Sequence, residues 1–317
     1  MQNQTSHVEF TIMGFPELPQ YQLVLFTLFF TIYILTVLEN LLLIATIWLN
    51  SRLRTPMYFF LGNLSLLEIF YVSVTMPKLF SILLLGEKAI TLGGCLTQLY
   101  FFLSLASSEC FLLATMAYDR YLAICHPLHY PSLMNHRTCT VLSLSSWLGG
   151  FLASFPSVVM ISKLQFCSTN TIRHFFCDLS PLLRLSCTET SLIEMLDFIA
   201  ALSVLMTSLL VTGTSYIFIF CTVARIPSTK GKHKAFSTCV SHLTVVSMFY
   251  ATTIFMYARP KAIGSFDLNK LVSILYTVVA PFLNPIIYSL RNREVRETIS
   301  RVLHNTVISL GCFQTED

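Results

Sequence analysis

Seven long apolar segments constrain this chain more than any other feature of its sequence. Each is long enough to cross a bilayer, which takes about 20 residues per helix. Charged residues make up only 11% of the 317 residues, whereas a soluble domain carries about 25%. The sequence therefore predicts an all-α membrane protein built as a seven-transmembrane helix bundle. The predicted spans are residues 23–49, 57–85, 95–124, 138–161, 198–224, 235–258 and 268–290.

Basic residues predict which side of the membrane each connection occupies. One set of connections is rich in Lys and Arg, whereas the others mix acids with bases. The positive-inside rule places the basic set in the cytoplasm and the N-terminus outside. The net charge of +4 then reflects topology, and no nucleic-acid partner is expected. The basic set comprises Arg52, Arg54, Arg137, Arg225, Lys230, Lys232, Lys234, Arg291, Arg293, Arg296 and Arg301.

Three regions follow from this topology. Residues 1–22 form an extracellular N-terminus, residues 23–290 the transmembrane domain, and residues 291–317 a cytoplasmic tail. No cleavable signal peptide is visible, so the first span is expected to direct insertion. Asn3 begins a glycosylation sequon on the predicted outer side. Apolar residues recur at helical spacing after the seventh span, which predicts a short amphipathic helix on the inner leaflet.

Nine of the ten cysteines divide into two groups. Five lie in spans or at their cytoplasmic ends, where free buried thiols are common. Four others lie on the predicted outer side, which implies two disulfides with three alternative pairings. The sequence contains no CxxC pair and predicts no metal site. The four outer cysteines are Cys95, Cys167, Cys177 and Cys187.

Polar residues within the spans are expensive in lipid and are expected to face one another inside the bundle. Asn40, Glu68, Glu109 and Asn284 form one such predicted cluster. It would hold a small cation such as sodium, and the sequence predicts no other cofactor. The alternative is a protonated hydrogen-bond network with a purely structural role.

Two further features predict a conformational switch. The pair Asp119-Arg120 stands at the cytoplasmic end of the third span. Pro285 interrupts the seventh span directly after Asn284 and removes a backbone hydrogen bond. A kink beside polar residues is a plausible hinge, and a static kink is the alternative.

Several motifs resemble those of rhodopsin-like (class A) G-protein-coupled receptors, and more narrowly those of odorant receptors. The general motifs are Asp119-Arg120-Tyr121 and NPIIY at 284–288. The narrower motifs are PMYFFLGNLS at 56–65, MAYDRYLAICHPLHY at 116–130, KAFSTCVSHL at 234–243 and PFLNPIIYSLRN at 281–292. The resemblance covers nearly the whole chain. It implies a receptor, not an enzyme, that binds a small volatile odorant at the plasma membrane and raises cAMP through a stimulatory, olfactory-type heterotrimeric G protein.

The resemblance also implies residue roles. Cys95 would pair with Cys177, and Cys167 with Cys187. The residues of the G-protein switch would be Asp119, Arg120, Tyr121, Tyr216, His242, Asn284, Pro285 and Tyr288.

The ligand pocket is predicted from the outer half of the third span, which contains no acid to pair with an amine. A mainly apolar cavity with a few hydroxyl groups suits a small volatile molecule. The segment His174-x-x-Cys177-Asp178 resembles a motif proposed for metal binding in odorant receptors, but a structural role is favoured. The predicted pocket residues are Phe102, Ala106, Ser107, Ala200, Val204, Tyr250, Thr253, Tyr257, Ile274 and Thr277.

Other functional classes fit the sequence less well. A transporter or channel would show internal repeats or paired broken helices, and neither is visible. An intramembrane enzyme would need a nucleophile–base or metal constellation. A receptor for a small molecule other than an odorant remains the main alternative.

Overall fold

The computed structural model describes residues 9–167, 170–257 and 266–291. Several side chains within these ranges, including that of Tyr257, are outside the description, as are Asn3 and the predicted amphipathic helix beyond residue 291. Six long helices are α1 (Gln22–Leu49), α2 (Pro56–Phe80), α3 (Leu92–Cys125), α5 (His136–Ile161), α7 (Ser191–Arg225) and α8 (Thr229–Tyr257). The seventh consists of α9 (Phe266–Ile274), a π-helical turn (Leu275–Val279) and α10 (Ala280–Arg291). Two short helices, α4 (Tyr130–Leu133) and α6 (Leu179–Leu183), lie in connections.

The described helices match the seven predicted spans. Six apolar stretches are long enough to cross a membrane, and a shorter one, Cys239–Ile254, lies within α8. The chain is therefore a multi-pass membrane protein with a seven-helix bundle. α7 begins at Ser191, seven residues before the predicted start at residue 198, because the prediction followed the apolar run and the helix also includes a more polar first turn. There the Thr190 hydroxyl donates to Glu194 Oε1 at 3.0 Å.

α3 is the central helix of the bundle. It packs against α2, α5, α7 and α8, and 61% of its most apolar window is buried, compared with 22% for α1 and for α7. Apolar side chains on the outer helices face away from the protein, as expected for surfaces in contact with lipid. Polar groups carried by α3 are thus the ones best placed to meet groups from several helices.

A small sheet covers one end of the bundle. It contains three strands in the order β2-β1-β3, with β1 (Glu9–Ile12) antiparallel to β2 (Ala89–Thr91) and parallel to β3 (Thr171–Ile172). Phe10 and Ile12 are fully buried. We call the three strands, together with residues 162–167 and 170–190, the roof. The sequence interpretation contained no strand, because a four-residue strand is too short to show a clear alternation.

The opposite end of the bundle contains Arg120, near the end of α3, and we call it the Arg120 end. α4 lies in the connection that follows α3. Pro285 lies inside α10, three residues before Tyr288. The π-helical turn Leu275–Val279 adds a second irregularity to the seventh helix, and such turns often occur at functional sites.

Candidate functional site

Two disulfides fix the roof, and they are the two pairings implied by the resemblance. Cys95 at the start of α3 is bonded to Cys177, and Cys167 is bonded to Cys187. Cys95 and Cys177 are both fully buried. The first bond therefore holds the roof loop directly against the central helix.

Gln98 reinforces this attachment one turn further along α3. Its Nε2 donates to the Val74 carbonyl of α2 at 2.8 Å, and its Oε1 accepts from the Cys177 backbone N–H at 2.9 Å. One amide thus ties α2, α3 and the roof loop together. The sequence interpretation missed Gln98, although a lone amide one turn from a disulfide cysteine in an apolar span was a usable signal.

Phe102 lies beneath the roof inside a cluster of aromatic rings. Its ring centroid is 4.8 Å from that of Phe176, 5.4 Å from Tyr71 and 6.0 Å from Tyr276. These rings come from α2, α3, the roof loop and the π-helical turn of the seventh helix. Phe102, a predicted pocket residue, therefore packs where four parts of the chain meet.

A polar chain joins the roof loop to the seventh helix beside these rings. His174 Nε2 and Ser273 Oγ are hydrogen-bonded at 3.2 Å, and the Tyr276 hydroxyl donates to Ser273 Oγ at 3.2 Å. Burial, together with the nearby charge of Lys270, lowers the pKa of His174 to about 3. His174 is therefore a neutral hydrogen-bonding group at physiological pH.

Cys177 and Asp178, the other two named residues of the His174-x-x-Cys177-Asp178 segment, also have structural partners. The disulfide removes the Cys177 thiolate, which is the form of cysteine that binds metals. Asp178 caps α6 by accepting the Leu179 backbone N–H at 2.8 Å. Burial, with the Asp197 carboxylate nearby, raises the pKa of Asp178 to about 6.

Five of the ten predicted pocket residues lie in two buried clusters. Phe102, Ala106 and Ile274 pack in one cluster with Phe176, below the roof. Val204 and Tyr250 belong to a second cluster that also contains Phe249. The side chains of Ala106, Ser107, Ala200, Thr253 and Ile274 are half-buried.

Three of the predicted hydroxyl groups already have partners within the protein. Thr277 donates to the Ser273 carbonyl at 2.6 Å, and Thr253 donates to the Phe249 carbonyl at 2.8 Å. The Tyr250 hydroxyl lies 3.5 Å from that of Thr212. Tyr257 lies on α8, and its side chain is outside the described part of the chain.

The predicted cation cluster is brought together in the middle of the bundle. Asn284 Nδ2 donates to Glu68 Oε1 at 2.6 Å, and Glu109 and Asn40 lie near the same carboxyl group. Glu68 and Glu109 are both buried. Among the described residues, the side-chain oxygens Oδ1 of Asn40 and Asn284 are buried without a hydrogen-bond partner. Such carboxylate and amide oxygens are the ligands that hard cations prefer.

At the Arg120 end, Asp119 holds the Arg120 guanidinium. Arg120 Nε donates to Asp119 Oδ2 at 3.0 Å, and Nη2 donates to the same oxygen. The Tyr130 hydroxyl donates to the other oxygen, Asp119 Oδ1, at 2.8 Å. Asp119 is fully buried. The sequence interpretation missed Tyr130, which lies in α4.

Three other predicted switch residues, Tyr216, His242 and Tyr288, lie close enough to interact with the Arg120 charge. The Tyr216 hydroxyl and His242 Nδ1 are 2.6 Å apart, and their rings are stacked. The Tyr121 hydroxyl is hydrogen-bonded to His126 Nε2 at 2.9 Å. In the described part of the chain, the Tyr288 hydroxyl is buried without a partner. A buried hydroxyl without a partner is a group that gains by moving toward a polar neighbour.

Comparisons with known proteins agree with this architecture. The sequence model described as olfactory receptor matches residues 29–306. The chain is 54% identical over 301 residues to human olfactory receptor 6A2. The aligned region covers 93% of this chain and 92% of that protein. The chain is 53% identical over 301 residues to rat (Rattus norvegicus) olfactory receptor 226, with the same coverage of each chain. It is 51% identical over 298 residues to human olfactory receptor 6P1, covering 94% of both chains.

Proposed function

Because this chain belongs to the olfactory receptor family of class A G-protein-coupled receptors, we propose that its odorant is a small, mainly apolar volatile molecule. The odorant would bind in the half of the bundle below the roof. The family is not enzymatic, and its members in general bind odorants and couple to G proteins. The ligand class, the type of G protein and the second messenger are our proposals.

The strongest support for a neutral ligand is the composition of α3 below the roof. From Leu92 to Ser108 the helix carries no charged side chain, and its first acid is Glu109. Phe102, Ala106 and Ile274 supply apolar surface there. Burial of that surface contributes about 25 cal/mol per Å², so a molecule of odorant size should bind in the micromolar range or more weakly.

We place the receptor in the plasma membrane with the roof outside and the Arg120 end in the cytoplasm. The basic residues support this orientation, because Arg225 ends α7 and Lys230 and Lys232 lie in the first turn of α8, all at the Arg120 end. The lipid bilayer then surrounds the apolar outer faces of α1, α5 and α7.

In this proposal the Arg120 end is the switch that contacts a stimulatory, olfactory-type G protein and raises cAMP. Asp119 holds Arg120 in the resting state, and Tyr216 and Tyr288 move toward Arg120 when a ligand favours the active state. A ligand shifts this equilibrium only by its differential affinity for the two states. Asn284 and Pro285 connect the movement of α10 to the buried Glu68 carboxyl group.

We also propose that Asn40, Glu68, Glu109 and Asn284 hold a sodium ion in the resting receptor. The two unpartnered amide oxygens support this assignment, because buried polar atoms are normally satisfied. Sodium should raise the melting temperature of the purified receptor relative to choline, and Glu68→Gln should abolish the difference. An equal sodium effect in both proteins would contradict the assignment.

The experiment that tests the function is an odorant panel read out as cAMP in transfected cells. The panel should contain neutral volatiles of increasing polarity together with charged amines and short peptides. We expect responses only to neutral volatiles. Tyr257→Phe is expected to shift potency for alcohols and carbonyl compounds several-fold and to leave hydrocarbons unchanged, since one hydrogen bond is worth about 1 kcal/mol. Activation only by charged amines or peptides would overturn the proposal.

A further inference from the structure

The N-terminal segment preceding α1 is an integral part of the roof. β1 is the central strand of the sheet, with β2 on one side and β3 on the other. Phe10 and Ile12 point into the cluster that contains the Cys95–Cys177 disulfide. We call residues 9–17 the N-terminal strap. The strap is therefore held by apolar burial at its beginning.

A turn at Gly14 directs the strap from the sheet toward the helices. Gly14 has a φ of +64°, which favours glycine, and its N–H donates to the His174 carbonyl at 3.0 Å. The ring of Phe15 then stacks between Phe29 of α1 and Phe175 of the roof loop, at 5.8 and 5.9 Å. The middle of the strap thus lies across the tops of α1 and the roof loop.

The far end of the strap is held by an ion pair. Lys270 Nζ of α9 lies 3.2 Å from each carboxylate oxygen of Glu17. The Lys270 side chain is only 6% exposed, whereas that of Glu17 is 55% exposed. The ammonium also lies 6.0 Å from the Phe15 ring centroid. A buried ammonium on the seventh helix is therefore neutralised by a carboxylate that water can reach.

We propose that Lys270 is a positioning residue of the ligand site. By pairing with Glu17 it holds the N-terminal strap over the outer end of the bundle, and so sets how readily an odorant enters and leaves. This inference rests on the proposed function. It assigns a role to two charged residues that touch neither the predicted ligand nor the G protein.

The ion pair is the attachment of the strap that opens most easily. The other attachments include the buried side chains of Phe10, Ile12 and Phe15, and water cannot replace the apolar packing that these side chains would lose. Glu17, in contrast, exchanges Lys270 for water at little cost. The two partners are not equivalent, since loss of Glu17 leaves a buried, unpaired ammonium, which is strongly unfavourable. Glu17→Gln should therefore open the strap more than Lys270→Gln does.

Opening can be measured without any odorant. In the full-length receptor on intact cells, Ile12→Cys would be labelled with a membrane-impermeant maleimide, and Thr11→Cys, which is already exposed, serves as the matched control. Glu17→Gln should raise the labelling rate at Ile12→Cys by about three- to tenfold and leave that at Thr11→Cys unchanged. The reciprocal exchange Glu17→Lys with Lys270→Glu should restore the slow rate, and Lys270→Arg should retain it.

The second readout is the response to an odorant that activates the parent receptor. At equal surface level, Glu17→Gln should accelerate decay of the cAMP response after washout, and the reciprocal exchange should restore the parent decay. Unchanged labelling and decay in Glu17→Gln, or failure of the reciprocal exchange to restore either, would overturn the inference. Silence of every receptor toward the whole odorant panel, with labelling as expected, would instead disprove the proposed function and leave the attachment of the strap by Lys270 supported.

Discussion

At the scale of single residues, the roof contains groups whose charge is set by burial. His174 and Asp178 are four positions apart in one loop, yet burial shifts their pKa values in opposite directions. In both cases the neutral form is favoured, because the protein interior disfavours the charged form. The roof therefore combines a histidine that resists protonation with a carboxyl group that accepts a proton more readily than usual.

These shifts predict opposing effects of acid on stability. The pKa of His174 falls from 6.5 to about 3, so the unfolded roof binds this proton first and the free energy of unfolding decreases as the pH falls below 6.5. The pKa of Asp178 rises from 3.8 to about 6, so the folded roof binds its proton first and the free energy of unfolding increases as the pH falls through 6.

Replacing either His174 or Asp178 should reveal the effect of the other on the pH dependence of stability. Between about pH 7.5 and about pH 5, the melting temperature of purified His174→Gln should fall less than that of the parent, and that of Asp178→Asn should fall more. Each protein is compared with itself at the two pH values, so a constant effect of the substitution cancels. Equal decreases in all three proteins would show that neither group titrates in this range.

At the scale of elements, the contact between α3 and α5 depends on small residues. The Ser108 hydroxyl of α3 donates to the Trp147 carbonyl at 3.2 Å, and the hydroxyl groups of Thr115 and Ser146 are 3.3 Å apart. At Gly150 a Cβ atom would lie 2.5 Å from the Ser104 carbonyl oxygen and from the Ser108 backbone nitrogen. The two helices pack closely because this position has no side chain.

Gly150→Ala should therefore force α5 away from α3. Overpacking of this kind costs about 1–3 kcal/mol, and the purified receptor should melt at a lower temperature. Gly213→Ala on α7 is the matched control, because a Cβ atom there meets nothing within 4 Å and alanine favours the helix by about 1 kcal/mol. The close approach would be disproved if both variants melted at or above the parent temperature.

The disulfide between Cys95 and Cys177 joins α3 to the roof across a sequence separation of 82 residues. Loss of such a bond typically costs about 2–5 kcal/mol. Cys95→Ser should therefore be retained inside the cell, measured as the ratio of surface to total receptor. Cys221→Ser, which removes an exposed free thiol, should reach the surface normally. A normal surface ratio for Cys95→Ser would show that the bond is dispensable.

At the scale of the whole molecule, α3 and the seventh helix run from the roof to the Arg120 end and carry buried polar groups along their length. The roof is attached to α3 by the disulfide and Gln98, while α3 carries Glu109 in its middle and Arg120 near its other end. The seventh helix carries Lys270, Asn284 and Tyr288 in that order from the roof toward the Arg120 end. A ligand that moves these two helices relative to each other would change the surroundings of Asp119 and Arg120.

Arg120→Ala should abolish the cAMP response while leaving surface expression intact, because in the proposed switch Asp119 holds Arg120 in the resting state and Arg120 turns inward when a G protein binds. Arg137→Ala serves as the control, since Arg137 is exposed and lies near the same end, in the first turn of α5. The measurement is odorant-evoked cAMP at matched surface level. A normal response of Arg120→Ala would exclude this residue from the switch.

The helix bundle and the family can both be predicted from sequence patterns. Long, uniformly apolar segments are stable in lipid as helices, because a helix satisfies every backbone polar group within the segment. The cost of placing polar groups in lipid also predicted that Glu68, Glu109 and Asn284 face the inside of the bundle. The motifs around Arg120 and Asn284 are local in sequence, so they were also readable without a structure.

The strand pairing of the roof, in contrast, is visible only in the folded chain. β1, β2 and β3 are each four residues or fewer, and their pairing joins positions about 80 to 160 residues apart, so no local pattern indicates it. The Glu17–Lys270 pair, the Gln98 clamp and the Tyr130–Asp119 hydrogen bond likewise join separate elements. Such contacts depend on where the chain returns in space, which hydrophobic periodicity and residue spacing do not specify.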